Sequence, residues 1–389
     1  RHRLFARPRQ YTRHMPKASP SSSVVPAGGI LLHIGVHKTG TTAIQAALAN
    51  ARSELGTYGV QYPGTHQAHR SIASSAMNRR LGWRPGGAPD PEPAAWQEFI
   101  RDSRSFAGVT VCSSEFFAES DDATAKSIID AIGADKVHVV ITLRNLGKIL
   151  PSAWQQLLKS GYEVDYSDWL NNAFNAAEPE LHAKSRNFWI RHRHDIVVRR
   201  WTDLVGAERV TVVVVDDSDR TGIYSAFEQL LGIPAGDLAA FRDESNNRSM
   251  TVPEAEFLRA LNIAVGGGKG WKPYSHKQHD GLIKAMTEGR SAPAGELRIE
   301  TPQWALDRAA ELARTYVAEI RELGVNVIGD LGVLEARLSG PEEIDYSSVD
   351  RLPIDAAVAS VLGAMSTRPT REKPRTGLLA RTGRKLFRN

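Results

Sequence analysis

Cysteine is almost absent from this chain. Cys112 is the single cysteine among 389 residues, so no disulfide can form within the chain, and this usage is typical of a reducing compartment. No run of 18 apolar residues is present, which argues against a transmembrane helix. The first residues also lack an apolar stretch of signal-peptide length. We therefore expect a cytoplasmic protein.

Acidic residues are nearly missing from both ends of the chain. Residues 1–20 contain six Lys and Arg and no acid, and residues 367–389 contain eight Lys and Arg with Glu372 alone. The two ends carry +13 and the whole chain +5, so residues 21–366 carry about −8. A nucleic-acid-binding domain would carry its basic patch on the folded body, so we expect no nucleic-acid partner. The tails are interpreted as solvated ends, with a weak contact to an anionic surface as the alternative.

The body of the chain has an ordinary globular composition, with 41% hydrophobic and 24% charged residues. Short β-branched runs alternate with longer helical patterns, which predicts an α/β fold of the P-loop type, a central parallel sheet flanked by helices in three layers. The predicted strands are residues 30–34, 109–112, 137–143 and 210–215. The predicted helices are residues 42–55, 152–160, 188–205, 223–231, 253–265 and 302–322.

The expected organisation has three parts. A disordered basic leader spans residues 1–28, the α/β domain spans 29–337, and residues 338–389 form a peripheral helix, predicted over 353–365, and a basic tail. Residues 62–93 are predicted to be a long irregular insertion, and loops of that length are usually functional or disordered. A glycine-rich segment, GGGKGWKPYSH at 266–276, interrupts the later helices.

The segment LLHIGVHKTGTTAIQAAL, residues 31–48, combines a buried strand, a loop of glycine and threonine, and a helix. This order aims free backbone N–H groups and the positive end of a helix dipole at an anion. Gly35 and Gly40 keep the spacing of a Walker A loop, but Thr41 stands at the position of its lysine, and the basic residue is Lys38. A lysine inside the loop suits a single phosphate and the atom that bridges it to a transferring group. Three loop hydroxyls add donors, those of Thr39, Thr41 and Thr42.

HKTGTT after a buried strand resembles the 5′-phosphosulfate loop of the sulfotransferases that use 3′-phosphoadenosine 5′-phosphosulfate. The resemblance implies that residues 37–42 bind this donor, and that an arginine ending a later strand binds the 3′-phosphate with a serine eight residues on. VVITLRNLGKILPSAWQQLLKSG supplies Arg144 and Ser152. The arginine fork can donate two parallel hydrogen bonds to a phosphate. Pro151 is predicted to open a helix, which would place Ser152 among free N–H groups.

The chain departs from the cytosolic sulfotransferases in two places. Leu146 stands where those enzymes have proline, and their Arg-Lys-Gly loop has no clear match. The chain is more similar to the broad bacterial branch, related to the carbohydrate sulfotransferases, over about residues 29–335. The same resemblance places Asn247 and Ser249 near the nucleotide.

The transfer that the resemblance implies needs a base for the attacking hydroxyl. Glu115 follows the strand over 109–112, so it lies at the same sheet edge as Lys38 and Arg144. Because carbohydrate-type enzymes often use a glutamate, the resemblance assigns Glu115 this role, and a loop-capping role for it stays open. His37 beside the loop is the competing candidate.

Three other histidines have weaker roles in this prediction. His33 is predicted to be structural, and His66 and His69 are candidates for the acceptor site. The sequence HRH at 192–194 lacks metal spacing, because residues i and i+2 of a helix face apart. No metal is expected, since Lys38 can neutralise the one phosphate at the reacting end of the donor.

Several functions compete with the sulfotransferase hypothesis. A P-loop kinase or NTPase would hold Mg²⁺ on Asp216, which ends a strand of the Walker B kind. A non-catalytic relative would bind the nucleotide or a sulfated ligand without turnover, and an anionic-surface protein would act through its basic tails. For the sulfotransferase, the expected acceptor is a hydroxyl of a carbohydrate, or of a lipid or small metabolite.

Overall fold

The central sheet consists of six strands. They are β1 (Ile30–Gly35), β2 (Val60–Gln61), β3 (Val109–Ser113), β4 (Val137–Arg144), β5 (Val210–Val215) and β6 (Asn326–Ile328). All neighbouring strands are parallel, in the order β2-β3-β1-β4-β5-β6. The computed structural model describes residues 24–82, 88–177, 180–243, 248–266, 276–346 and 349–366.

The helices of these residues follow the strands in the manner of βαβ units. They are α1 (Thr41–Asn50), α2 (Arg52–Leu55), α3 (Arg70–Ala76), α4 (Pro93–Ser105), α5 (Asp122–Ile132), α6 (Leu146–Leu158), α7 (Tyr166–Asn175), α8 (Ala183–His192), α9 (His194–Val205), α10 (Gly222–Leu231), α11 (Val252–Ala264), α12 (His276–Thr287), α13 (Gln303–Leu323), α14 (Gly332–Glu335) and α15 (Ile354–Ser366).

Different helices cover the two faces of the sheet, because alternate side chains of a strand point to opposite faces. In β1, Ile30, Leu32 and Ile34 pack in one cluster with side chains of α3, α4, α5, α9 and α13. Leu31 packs on the other face with α1, α2 and α10. Helix, sheet and helix thus form three layers, and the predicted α/β class is confirmed.

A second cluster of helices lies beside these layers and holds α6 in place. Its core is aromatic: the ring centroids of Trp154 and Tyr166 are 5.1 Å apart, and those of Tyr166 and Trp169 are 5.9 Å apart. Each of these side chains is fully buried, and large aromatic groups contribute strongly to packing energy. Side chains of α8, α11, α12 and α13 complete the cluster.

The helix predicted over residues 152–160 was placed wrongly. It begins at Leu146, and Asn145 caps it, accepting a 3.0 Å hydrogen bond from the Gly147 amide. Pro151 therefore lies inside α6 and not in its first turn. The Asn145 amide also donates to three carbonyl groups of the distant segment 333–336. This non-local anchor and a strong N-cap outweigh the preference of proline for a helix start.

Other boundaries differ in smaller ways. The predicted helix over 188–205 is interrupted at Arg193, and the one over 42–55 at Ala51. Residues 62–93, predicted to be irregular, contain α3, while the strands β2 and β6 were not predicted because they are only two and three residues long. The basic tail from residue 367, most of the leader, most of the glycine-rich segment and Asn247 lie outside the described residues. The domain boundaries stay a prediction.

Candidate anion-binding site at the end of the first strand

The loop between β1 and α1 has a backbone suited to an anion. Gly35 and Gly40 have φ values of 81° and 79°, and Lys38 has a φ of 65°, in the left-handed region that non-glycine residues rarely occupy. Such a residue persists only where its surroundings determine it, which is common at binding sites. Because α1 begins at Thr41, the free N–H groups of its first turn and its dipole point toward this loop.

Thr39 attaches the loop to the sheet. Its hydroxyl donates to the Val36 carbonyl at 2.6 Å and lies 2.7 Å from the Thr142 hydroxyl. The Thr142 hydroxyl is 3.3 Å from Nε2 of His33, whose Nδ1 is 2.8 Å from the Ser113 hydroxyl. Burial lowers the pKa of His33 to about 3, so the ring is neutral. A buried polar chain therefore connects three strands with the loop, and His33 is part of it.

Lys38 lies between the loop and α6. Its Nζ donates a 2.9 Å hydrogen bond to Oε1 of Gln156. Burial, with smaller effects from the positive charges of Lys159 and Arg191, lowers the pKa of Lys38 to about 8. The lysine is therefore protonated at neutral pH, in basic surroundings that favour an anion.

Arg144 ends β4 beside the same loop. Its Nη1 lies 3.5 Å from the carbonyl oxygen of Lys38, and its Nη2 lies 2.7 Å from Oδ1 of Asp217. About a quarter of the arginine side chain is exposed. A phosphate could thus reach Arg144, in competition with the carboxylate.

Ser152 lies one helical turn before Gln156, so it faces the same side of α6. Its hydroxyl donates to the Ile149 carbonyl at 2.9 Å. Because α6 begins at Leu146, Ser152 is not among the free N–H groups of a helix terminus. Its predicted role at the 3′-phosphate would have to depend on the hydroxyl alone.

Glu115 packs against the loop from β3. It begins a short 3-10 helix, Glu115–Glu119, and a Cβ atom on Gly35 would lie only 2.8 Å from its own Cβ. Gln45 of α1 donates to Oε2 of Glu115 at 3.2 Å and to the Ser113 hydroxyl at 3.1 Å. The charge of Glu115 favours the protonated form of Lys38. The carboxylate therefore lies within electrostatic reach of the predicted phosphate site.

His37 belongs to a buried ion cluster that the sequence did not reveal. Its Nε2 lies 2.9 Å from Oε1 of Glu119, and Arg191 and Arg79 bind the same carboxylate at 2.8 and 2.9 Å. Burial alone would raise the pKa of Glu119, but the hydrogen bond with His37 and the charge of Arg191 lower it to about 2. Burial lowers the pKa of His37. A neutral His37 beside an ionised carboxylate carries its proton on Nε2, which makes Nδ1 the acceptor nitrogen.

The two histidines predicted for the acceptor site have different surroundings. His69 is buried and uses both ring nitrogens: Nδ1 accepts from the Ser113 amide at 3.0 Å, and Nε2 donates to the Pro63 carbonyl at 2.8 Å. It therefore has no ring nitrogen for a substrate, and His66 is exposed.

Asp216 directly follows β5, which is separated from β1 by β4. Its Oδ1 accepts a 2.9 Å hydrogen bond from the Ser218 amide.

Among the described residues, no group of three or more His, Cys, Asp and Glu could hold a metal ion. Within the residues that the structure describes, no helix is long and apolar enough to cross a membrane.

Two cavities adjoin these residues. One of about 620 Å³ lies at the ends of β5 and β6, and its charged lining is mainly acidic, namely Asp216, Asp217, Asp219, Asp330 and Arg220. The other, of about 670 Å³, reaches Glu119, and arginines and apolar side chains line it, among them Arg79, Arg186, Trp189, Ile190 and Arg193. The second cavity, which we call the Glu119 cavity, has four arginines in its lining against Glu119 and Asp121, so its charge is less hostile to an anionic molecule than that of the first.

Comparisons with known proteins identify no family for this chain. No protein-family model and no curated protein sequence matches the chain. Among solved structures, the chain is similar to a sulfotransferase from Alicyclobacillus acidocaldarius. The two are 18% identical, the match covers 60% of this chain and 92% of the other, and the TM-score is 0.41.

Proposed function

We propose that this protein is a sulfotransferase that moves a sulfuryl group from 3′-phosphoadenosine 5′-phosphosulfate to an acceptor hydroxyl. The observation that supports this most is the position of Lys38. It lies inside the loop in a left-handed conformation, with its Nζ directed to Gln156 of α6. In a nucleoside-triphosphate enzyme the lysine follows the second glycine and spans the β- and γ-phosphates. A lysine before that glycine suits one phosphate and its bridging oxygen.

The donor would bind along the edge formed by β1 and β4. Its 5′-phosphate would accept hydrogen bonds from the N–H groups of the first turn of α1 and from the hydroxyls of Thr41 and Thr42. Arg144 would bind the 3′-phosphate, releasing Asp217, and Ser152 would add its hydroxyl. Thr39 would hold the conformation of the loop and not bind the donor, because its hydroxyl already donates to the Val36 carbonyl.

The reaction would be a direct in-line displacement. The acceptor oxygen attacks sulfur while Glu115 takes its proton, and the bond between sulfur and the phosphate oxygen breaks with its electrons on that oxygen. Proton transfer to a positioned base is worth ~10²–10⁴ in rate. Lys38 and the loop N–H groups stabilise the charge that grows on the leaving oxygen, and one such donor is worth on the order of 10²–10³ in kcat. No step requires a metal ion.

The acceptor would enter through the Glu119 cavity. Its wall includes Glu119, whose carboxylate binds His37 at the end of the loop. The cavity combines five apolar side chains with four arginines, so it offers an acceptor both packing surface and hydrogen-bond donors. A hydroxyl of a carbohydrate is the first acceptor to test, and a lipid or small-metabolite hydroxyl the second.

Calorimetry with 3′,5′-adenosine bisphosphate, the desulfated product, tests the donor site. We expect binding of the bisphosphate in preference to ATP with Mg²⁺, and its loss in Lys38→Ala and Arg144→Ala. Lys126→Ala and Arg101→Ala are matched controls, because both side chains are exposed on helices outside the site. The proposal would be rejected, and a kinase or NTPase favoured, if the protein preferred ATP with Mg²⁺ or if neither substitution changed the affinity for the bisphosphate.

A further inference from the structure

Helix α15 packs on the protein through its smallest side chains. Ala356, Ser360 and Gly363 are its buried residues. A Cβ atom at Gly363 would collide with the carbonyl oxygen of Gly281 in α12, so the two helix backbones approach as closely as glycine allows. The large side chains of α15 therefore cannot be on this face.

The opposite face of α15 is apolar and exposed. Its five large side chains are between 51% and 83% exposed, namely Ile354, Val358, Val361, Leu362 and Met365. Their spacing of four, three, one and three residues places them on one stripe of a helix, which we call the α15 stripe. Elsewhere among the described residues, exposed large apolar side chains are few and mostly isolated along the chain. Single ones are normal, whereas a contiguous set marks an interaction surface.

Charge identifies the partner of this stripe. Asp355 is the only acidic residue of α15, and the buried guanidinium of Arg290 binds it at 2.6 Å, together with Glu254 and Glu296. Directly after the helix, residues 367–389 carry eight Lys and Arg against Glu372, a charge of +7. An exposed apolar stripe is thus followed at once by a strongly basic segment.

We propose that α15 is an interfacial helix that docks the protein on an anionic lipid bilayer. The α15 stripe would enter the boundary between headgroups and acyl chains, and the charge of +7 that follows it in the sequence would favour anionic lipids. Stable binding of this kind usually needs an apolar and an electrostatic contribution together. A nucleic acid would bind the basic segment and leave the α15 stripe exposed. A second copy of the chain would cover the stripe and make no use of the basic segment. The inference does not rest on the sulfotransferase function, since α15 contributes no residue to the loop site.

Sedimentation of the full chain with vesicles tests this surface. We expect binding to phosphatidylglycerol-containing vesicles, little to phosphatidylcholine alone, and weakening by salt. Val361→Gln with Leu362→Gln should reduce binding at least about tenfold, as should the joint change of Arg381, Arg384, Lys385 and Arg388 to Gln. Ile263→Gln with Leu297→Gln is the matched control, because both side chains are half exposed outside the stripe.

A labelled variant gives a second readout that does not depend on sedimentation. Cys112 is fully buried, so Met365→Cys provides a site for a polarity-sensitive fluorophore. We expect its emission to shift to the blue with anionic vesicles only, and a label at Ile263→Cys to stay unchanged. The proposal would be overturned by equal binding to both kinds of vesicle, or by unchanged binding of the Val361→Gln, Leu362→Gln variant. It would also be overturned if the chain bound no vesicles and formed a dimer that this variant no longer formed.

Discussion

Nη2 of Arg144 lies 2.7 Å from Oδ1 of Asp217, across the ends of the neighbouring strands β4 and β5. The arginine that we propose for the 3′-phosphate is therefore already bound to a carboxylate. A phosphate has to displace this carboxylate or share the guanidinium with it. Asp217 consequently lowers the affinity for any anion that binds Arg144.

Asp217→Asn should tighten the binding of 3′,5′-adenosine bisphosphate by up to about fivefold, because a partly exposed ion pair of this kind is worth up to about 1 kcal/mol. Calorimetry at one ionic strength measures the change. Asp203→Asn removes the same charge from an exposed position on α9 and should have little effect. Weaker binding in Asp217→Asn would mean that the carboxylate positions Arg144 and does not compete.

The affinity for the bisphosphate should fall as pH rises above about 8. Burial lowers the pKa of Lys38 to about 8 in the free protein, and a bound phosphate favours the protonated amine. Between the free and the bound pKa, each unit of pH then costs about tenfold in affinity. Lys38→Arg keeps its charge throughout this range and should flatten the profile. If the affinity of Lys38→Arg fell in the same way above pH 8, the titrating group would not be Lys38.

Glu115→Gln should reduce the rate of sulfuryl transfer by ~10²–10⁴ and should not weaken the binding of the bisphosphate. Transfer of labelled sulfate from the donor to a panel of glycans and lipids measures the rate, with Glu98→Gln, exposed on α4, as the control. A larger loss in His37→Gln than in Glu115→Gln would identify the histidine as the base. An unchanged rate in both variants would mean that neither side chain is the base.

Gly35→Ala should destabilise the protein and displace Glu115. A Cβ atom at position 35 would lie 2.8 Å from the Glu115 Cβ and 2.9 Å from its Cα, and the φ of 81° adds strain. Gly59→Ala is the matched control, because Gly59 has a φ of 69° with no atom within 4 Å of its added Cβ. We expect Gly59→Ala to cost about 1 kcal/mol and Gly35→Ala at least about 1 kcal/mol more. Equal melting temperatures would show that the turn after β3 adapts freely.

The parts of the site that the sequence predicts are local. A short apolar run, two glycines five residues apart and a helical segment define the loop, and the end of a later strand defines Arg144. The cluster of His37, Glu119 and Arg191 has no such signature, because it joins three segments, with 72 residues between its glutamate and its arginine. The Lys38 bond to Gln156 spans 118 residues.

The error at Ser152 has the same origin. Pro151 carries a local preference for a first turn, and the contacts of Asn145 with residues 333–336, which override it, are almost 190 residues away along the chain. The preference of proline for the first turn of a helix therefore does not locate the start of α6. Glu115 shows the converse: its place after β3 was predicted, but its packing against Gly35 follows only from the strand order β3-β1.

The buried polar chain of Ser113, His33, Thr142 and Thr39 couples the conformation of the loop to the folding of the central strands. Its members come from β3, β1, β4 and the loop, so the loop acquires its shape only when those three strands have paired. Fraying of outer helices such as α15 leaves it intact. A ligand on the loop therefore stabilises the central strands by mass action. Their amides should exchange more slowly with deuterium when it binds, while those of α15 keep their rate.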